Sequence, residues 1–231
     1  MNLKSLLVCI ALISISIFTS IASAKDYAIE VILFTNKDGL QQSAEQFNFN
    51  HIIPAPANGL DLESTDNNSQ WQAIAEEDFI LKNIAEKLKR SSNYRILKHF
   101  AWRQPVVEKR DSQPISIKAG RDFTNQYPEH AYRQIEFSDT STNNASRNSK
   151  VLELDGTINV VITRYIHLYS DLVYRLPRTI PTEINDALNR GQALVDYSVQ
   201  SHRRMRSREL HYIDHPLVGI LVEATPIEDE E

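Results

Sequence analysis

Leu154–Leu176 reads LDGTINVVITRYIHLYSDLVYRL, and its even positions are Leu154, Gly156, Ile158, Val160, Ile162, Arg164, Ile166, Leu168, Ser170, Leu172, Tyr174 and Leu176. The odd positions include Asp155, Thr157, Asn159, Thr163, Tyr165, His167, Tyr169, Asp171 and Arg175. Alternation at period two is the pattern of a half-covered strand. It persists here well beyond the usual five or six residues. The stretch is therefore one long curved strand or two strands bent near Ser170-Asp171, with an apolar face toward a core and a polar, aromatic face toward solvent or a sugar-like ligand. Arg164 falls on the apolar phase, where an unpaired guanidinium is costly. It is expected to meet a carboxylate, with Glu30 as a candidate, or to lie where the sheet is open.

Working outward toward the C-terminus, alternation resumes after Pro177, Pro181 and a polar connection expected to hold a helical turn or two. Ala193, Val195, Tyr197, Val199 and Met205 occupy one phase. Asp196, Ser198, Gln200, His202, Arg204, Arg206 and Arg208 occupy the other. Alternate strand residues lie about 6.6 to 6.8 Å apart, so Arg204, Arg206 and Arg208 are expected to form a guanidinium row. Such a row binds carboxylates or phosphates, or is a solvated face balanced by acids on a neighbouring strand. With the aromatic face of the longer stretch it gives the candidate ligand-binding set Arg204, Arg206, Arg208, Tyr165, His167 and Tyr169. Asp214, His215 and Pro216 read as a structural turn between two strand-like runs, Leu210 to Ile213 and Leu217 to Val222. His211 and His215 are four apart with Asp214 beside them, which on a helix would suit a metal. Pro216 disfavours helix before it, so a hairpin is the better reading and no metal ligand is assigned.

Toward the N-terminus, Tyr27 to Phe34 (YAIEVILF) is almost wholly apolar and reads as a strand covered on both faces. Glu30 interrupts it, as a charge at a covered edge or paired with a base rather than a catalytic acid. Thr35 to Asn68 reads as a long surface loop. Ser69 and Gln72 then form a capping-box pattern ahead of Trp71, Ile74, Ala75, Leu81, Ile84, Ala85 and Leu88, which predicts a helix ending near Ser91. Tyr94 to Trp102 alternates as a strand, with Tyr94, Ile96, Phe100 and Trp102 on one side. Strand, helix and strand in that order predict a right-handed crossover unit. Asp111 to Lys150 reads as loop, mobile between Asp139 and Lys150.

The chain begins with Lys4, an apolar run from Leu6 to Phe18 and the small-residue site Ala22-Ser23-Ala24. That is the pattern of a secretory signal peptide over residues 1–24, leaving one domain over 25–231. The run is too short and weakly flanked for a membrane span, and the mature chain is expected to have none. Cys9, the single cysteine, lies inside the leader, so disulfides, thiol nucleophiles and thiolate metal sites are excluded from the rest. A net charge of -5 argues against nonspecific nucleic-acid binding. Residues 25–93 hold 11 acids against 6 bases and residues 94–225 hold 15 against 18, so an anionic partner would meet the second half. The acidic tail, Glu228 to Glu231, reads as a solvated end. No strained Gly-x-Ser-x-Gly turn, glycine-rich phosphate loop or singled-out carboxylate pair is present, which points away from an enzyme and from any cofactor.

Four segments resemble the CsiV family of periplasmic peptidoglycan-binding proteins: Tyr27 to Phe34, Leu97 to Val106 (LKHFAWRQPV), Leu154 to Leu168, and Arg203 to Gly219 (RRMRSRELHYIDHPLVG). Where that family leads one to expect a Gly-Gly pair, this chain has Ala119-Gly120. The resemblance implies a noncatalytic periplasmic role: peptidoglycan binding, and stimulation of wall assembly by a bifunctional penicillin-binding protein through its outer-membrane lipoprotein activator. It assigns no binding residue. Two other functions are kept beside it. One is an envelope protein-protein interaction module that docks through Arg203 to Tyr212 without touching the wall. The other is a metal-dependent wall hydrolase using His211, Asp214 and His215. For the fold, the pattern predicts a single α+β domain, with a mixed, mainly antiparallel sheet and one principal helix packed against it.

Overall fold

The computed structural model describes residues 26–39, 59–63, 70–130, 150–179 and 191–228. The expected signal peptide, most of the Asp139 to Lys150 stretch and the connection after Thr179 lie outside the described residues. The strands are β1 (Tyr27–Asn36), β2 (Gln72–Ala73), β3 (Tyr94–Gln104), β4 (Ile115–Asp122), β5 (Leu152–Ile162), β6 (Ile166–Thr179), β7 (Gln192–Met205), β8 (His211–Ile213) and β9 (Val218–Pro226); an α-helix, α1 (Lys82–Arg90), lies between β2 and β3 in the chain. They form two sheets, β2-β3-β1-β9-β8 and β4-β5-β6-β7, and every pairing between strands is antiparallel.

The expected mainly antiparallel pairing is found, while the expectation of a single α+β sheet with one principal helix is corrected to a more β-rich, two-sheet sandwich. The reason is that the apolar face of β5, β6 and β7 is covered by a second sheet. Leu154, Ile158, Val160, Leu168, Leu172, Tyr197 and Val199 share one buried cluster with Ile29, Val31, Leu33, Phe100, Trp102, Ile220 and Val222. The other face of β1 packs Ile32 and Phe34 against Leu81 and Ala85 at α1. Burial of β1 on both faces thus comes from a sheet on one side and the helix on the other.

The crossover unit is also corrected. β1 and β3 are direct antiparallel neighbours, in register from Tyr27↔Gln104 to Asn36↔Tyr94, and α1 lies over their outer face. The helix begins at Lys82 rather than near Ser69. Upstream of it, Trp71 is drawn into the inter-sheet core, and Gln72 and Ala73 pair with Arg103 and Trp102. Tertiary burial of one large side chain has overridden the helical periodicity. At the start of α1, Leu81 supplies no side-chain cap. The buried Glu30 carboxylate does so from β1, accepting from the backbone N–H of Ile80 at 2.6 Å and of Leu81 at 2.9 Å. It also meets His99 Nε2 at 2.7 Å. Glu30 is therefore paired with a helix start and a histidine, not with Arg164.

The long alternating stretch is two strands, and the break is at Thr163–Tyr165 rather than Ser170-Asp171. Ile162 pairs with Ile166, whereas Ser170 and Asp171 pair mid-strand with Ser201 and Gln200. Arg164 sits in the exposed turn, so its apparent place on the apolar phase carries no burial cost. In β3 the register shifts between Leu33↔Lys98 and Phe34↔Ile96, leaving Leu97 as a bulge. The bulge puts Ile96 with the helix cluster and Phe100 and Trp102 in the inter-sheet core, so these residues do not share one face. β4 lies within a region expected to be loop.

A buried carboxylate ties the two sheets together. Glu153 in β5, wholly inaccessible to solvent, pairs with Arg95 of β3 in the opposite sheet and with Arg121 Nε at 3.3 Å. It accepts from the Arg121 backbone N–H at 3.0 Å and from the Tyr174 hydroxyl at 3.3 Å. Burial opposes ionisation of Glu153. The hydrogen bonds from Arg121 and the charges of Arg95 and Arg121 outweigh it and hold the carboxyl below its ordinary value. Burial also pushes the Tyr174 phenol up to about 12. Gly120, the glycine kept from the expected pair, has φ +79°, and a Cβ there would lie 2.7 Å from the Glu153 side chain. Its position is both conformational and steric.

Candidate functional site

The outward phase of the β4-β5-β6-β7 sheet carries the candidate site, and the strand register assembles it in rows. Asn159, Tyr169 and His202 lie opposite one another across β5, β6 and β7; Val161, His167 and Arg204 form the next row, and Thr157, Asp171 and Gln200 the row on the other side.

Half of this face is covered. The segment 123–130 folds over it, and Phe123 and Tyr127 bury against Val151 and Leu194. Beneath the segment, Arg175 is fully buried and its Nη1 donates to the Leu152 carbonyl at 2.9 Å. Its Nε lies 3.4 Å from Asp196 Oδ1, which also meets His130 Nε2 at 2.9 Å. Asp155 approaches Arg175 at 3.8 Å, and burial raises its carboxyl above the ordinary value even though Arg175 favours the charged form. This cluster anchors a covering segment. Its side chains are turned inward, so it offers nothing to a large ligand.

The other half is open and holds a ladder of rings and cations. Tyr169 and His202 stack with ring centroids 4.3 Å apart and planes within 2°. His202 stacks in turn with His167 at 5.2 Å, where Nδ1 of His167 and Nε2 of His202 share a hydrogen bond of 3.0 Å. Lys109 Nζ lies 4.7 Å from the Tyr169 ring centroid. The guanidinium of Arg204 lies 4.7 Å, and that of Arg164 5.7 Å, from the Tyr165 centroid. Lys109, Arg164 and Arg204 make no ion pair among the described residues. The surroundings of His167, first its partial burial and then the positive fields of His202 and Arg204, hold its pKa below the ordinary value. The shared hydrogen bond needs one unprotonated nitrogen, so the pair carries at most one charge while it is intact.

Of the six residues expected to bind a ligand, the structure brings Arg204, Tyr165, His167 and Tyr169 together. It does not bring Arg206 and Arg208 with them. β7 ends at Met205, so the expected three-arginine row is corrected to a single strand arginine. Arg206 pairs with Glu209 at 3.7 Å. Arg208 has φ +61° and pairs with Glu228, so that member of the acidic tail is bonded rather than free. Arg206, Ser207 and Arg208 turn the chain from one sheet into the other, which is why strand alternation cannot be carried through them. His202, Lys109 and Arg164 were missed as site residues. The phase of His202 was legible, but its match to Tyr169 depends on the β6–β7 register, and Lys109 arrives from a loop.

Asp214, His215 and Pro216 lie between β8 and β9. His215 Nδ1 accepts from the Leu217 N–H at 3.2 Å, and Asp214 Oδ1 accepts from the Tyr212 hydroxyl at 2.6 Å. Burial first, then that hydrogen bond and the Asp214 charge, raise the Tyr212 phenol. His211 Nε2 instead faces the backbone of Arg206, 3.1 Å from its nitrogen. No group of three or more metal-ligating side chains occurs among the described residues. No described helix is long and apolar enough to cross a membrane. A separate pocket of about 170 Å³ lies between Phe79, His99 and Phe100, but its cation, Lys98, is already bound to Glu63 at 2.8 Å.

The family described as "Peptidoglycan-binding protein, CsiV" matches residues 4–227, nearly the whole chain. The chain belongs to the CsiV family. No curated protein and no solved structure matches it. Membership of CsiV agrees with the resemblance seen in the four sequence segments. It associates the chain with peptidoglycan and the cell envelope and assigns no residues.

Proposed function

We propose that this CsiV protein is a noncatalytic periplasmic peptidoglycan-binding protein whose wall contact is the open half of the β5-β6-β7 face. The observation that carries the assignment is the ladder Tyr165, Arg204, His167, His202, Tyr169 and Lys109. It joins, on one exposed surface, rings and cations that make no ion pair among the described residues, the composition suited to an anionic, hydroxyl-rich polymer. Binding there leaves the opposite face of the sandwich free, consistent with a role in promoting wall assembly by a bifunctional penicillin-binding protein through its lipoprotein activator. The test is cosedimentation of the mature protein with purified sacculi. Pelleting well above a control protein is expected, and an Arg204→Gln, Lys109→Gln double variant is expected to pellet less. Absence of pelleting by the wild type at moderate salt refutes wall binding.

A protein-docking role has its own observation. On the far side of the sandwich, Tyr212 stacks on Phe34 at 6.2 Å and Tyr94 meets the same ring edge-on at 5.3 Å. Tyr94, Tyr212 and Leu210 are exposed there. Capture of the activator by purified protein without wall material, lost in a Tyr94→Ser, Tyr212→Ser variant that still pellets with sacculi, would establish that face as the protein contact. Equal capture by that variant refutes it.

A further inference from the structure

We infer that the ladder reads free carboxylates of the wall's stem peptides rather than the flat faces of its sugars; this rests on the wall-binding proposal above. Peptidoglycan offers two kinds of handle, the apolar faces of its sugar rings and the carboxylates on the short peptides the glycan carries. Sugar stacking needs an open aromatic face. Here the rings are engaged with one another and with cations: Tyr169 with His202 at 4.3 Å and with Lys109 at 4.7 Å, Tyr165 with Arg204 at 4.7 Å and Arg164 at 5.7 Å, His167 with His202 at 5.2 Å. The rings serve as supports that hold the cations in place. A guanidinium laid on a ring keeps its N–H edge free for bidentate contact with a planar carboxylate.

The charge arrangement agrees. Several cations elsewhere on the surface are neutralised within the protein, Arg103 by Asp26, Lys98 by Glu63, Arg206 by Glu209 and Arg208 by Glu228, and those that are not, such as Arg203, Lys87 and Arg90, have no ring contact among the described residues to hold them. Lys109, Arg164 and Arg204 make no such pair among the described residues. The one carboxylate in the adjacent row, Asp171, accepts from Gln200 Nε2 at 2.8 Å. Arg204 projects from the His167 row and Lys109 lies over the Tyr169 ring in the next, so the face holds two separate cationic ends. That suits a ligand with carboxylates in series, as a short peptide chain supplies.

Two measurements decide the matter: cosedimentation with intact sacculi and with sacculi whose carboxyls have been converted to amides with carbodiimide and ammonia, and competition by soluble glycan strands freed of peptide by amidase digestion and then amidated on the lactyl carboxyls that the digestion exposes. Binding to the amidated sacculi and amidated strands is expected to be at least about tenfold weaker than to intact sacculi, the scale of losing one charge-assisted hydrogen bond. Arg204→Gln with Lys109→Gln should lose a similar factor on intact sacculi and nothing further on amidated ones, with an unchanged melting temperature because both side chains are outside the core. Equal binding to intact and amidated sacculi overturns the carboxylate assignment while leaving wall binding standing. So does an equal loss from Arg206→Gln with Arg208→Gln, which would reduce the effect to general positive charge. Failure of the wild type to bind intact sacculi overturns the wall-binding proposal itself.

Discussion

Glu153→Gln tests the polar tie between the two sheets. The substitution keeps the size of the side chain and its capacity to accept from the Arg121 N–H, but removes the charge shared by Arg95 and Arg121. Breaking a buried ion pair from one side costs about 3 to 5 kcal/mol when the surviving partner is also buried. Here the arginine side chains are 39% and 58% exposed while the carboxylate is fully enclosed. Water can solvate both guanidiniums after the change, which brings the expected loss down to about 2 to 3 kcal/mol. For a domain of this size that is a fall in melting temperature of roughly 5 to 10 °C. The pH dependence is the sharper readout. The Glu153 carboxyl titrates below its ordinary 4.5 in the folded protein, so its stabilisation is fully present above the unfolded value. It is lost as pH falls below 4.5 through the folded value. Urea unfolding of wild type and variant from pH 7 to pH 3 should therefore show the gap narrowing on acidification. A gap that stays constant across that range, or one below about 0.5 kcal/mol at pH 7, the level of an ordinary surface substitution, refutes the reasoning.

Glu30→Ala removes acceptors for two N–H groups at the start of α1 and the partner of His99. A loss of about 2 to 4 kcal/mol and a lower helical circular-dichroism signal are expected, with Glu30→Gln milder; equal stability of Glu30→Ala and wild type would contradict the capping role. Arg206→Gln with Arg208→Gln should leave sacculus binding within about twofold, because both arginines are paired in the turn out of β7 rather than on the ladder, their exposed pairs being worth under about 1 kcal/mol. Gly219→Ala places a Cβ 2.3 Å from the Phe34 ring. Overpacking of about 1 to 3 kcal/mol, read by denaturant midpoint, is the expected result.

Much of the fold was legible in residue patterns. The even phase of β5 and β6, the apolar phase of β7 and the doubly covered β1 were all visible, because burial against a flat layer leaves a period of two in the chain. The errors came where one tertiary contact outweighed local pattern. Trp71 has a better site between the sheets than on a helix face, so the helix starts late. Leu97 bulges, so one alternating segment serves two different cores. The candidate site was half legible for the same reason. Tyr165, His167, Tyr169 and Arg204 announce an outward phase, but no local rule sends Arg206 and Arg208 away from it. Ala119-Gly120 shows the opposite case: its glycine marks a tight spot beside Glu153, a contact that cannot be recognised until β4 is paired with β5.

The sequence by itself determined that this is a strand-rich chain with a single cysteine, Cys9, and a face of rings and bases held apart from an apolar face. Those properties follow from residue type and short-range periodicity. Only the tertiary structure decided that two sheets rather than one enclose the core, that Glu30 caps a helix, and that Tyr169, His202 and Lys109 meet. Each of these depends on register and layer packing between residues far apart in the chain. Such contacts form because burial and hydrogen bonding favour them in three dimensions, and they leave no periodic trace in the sequence.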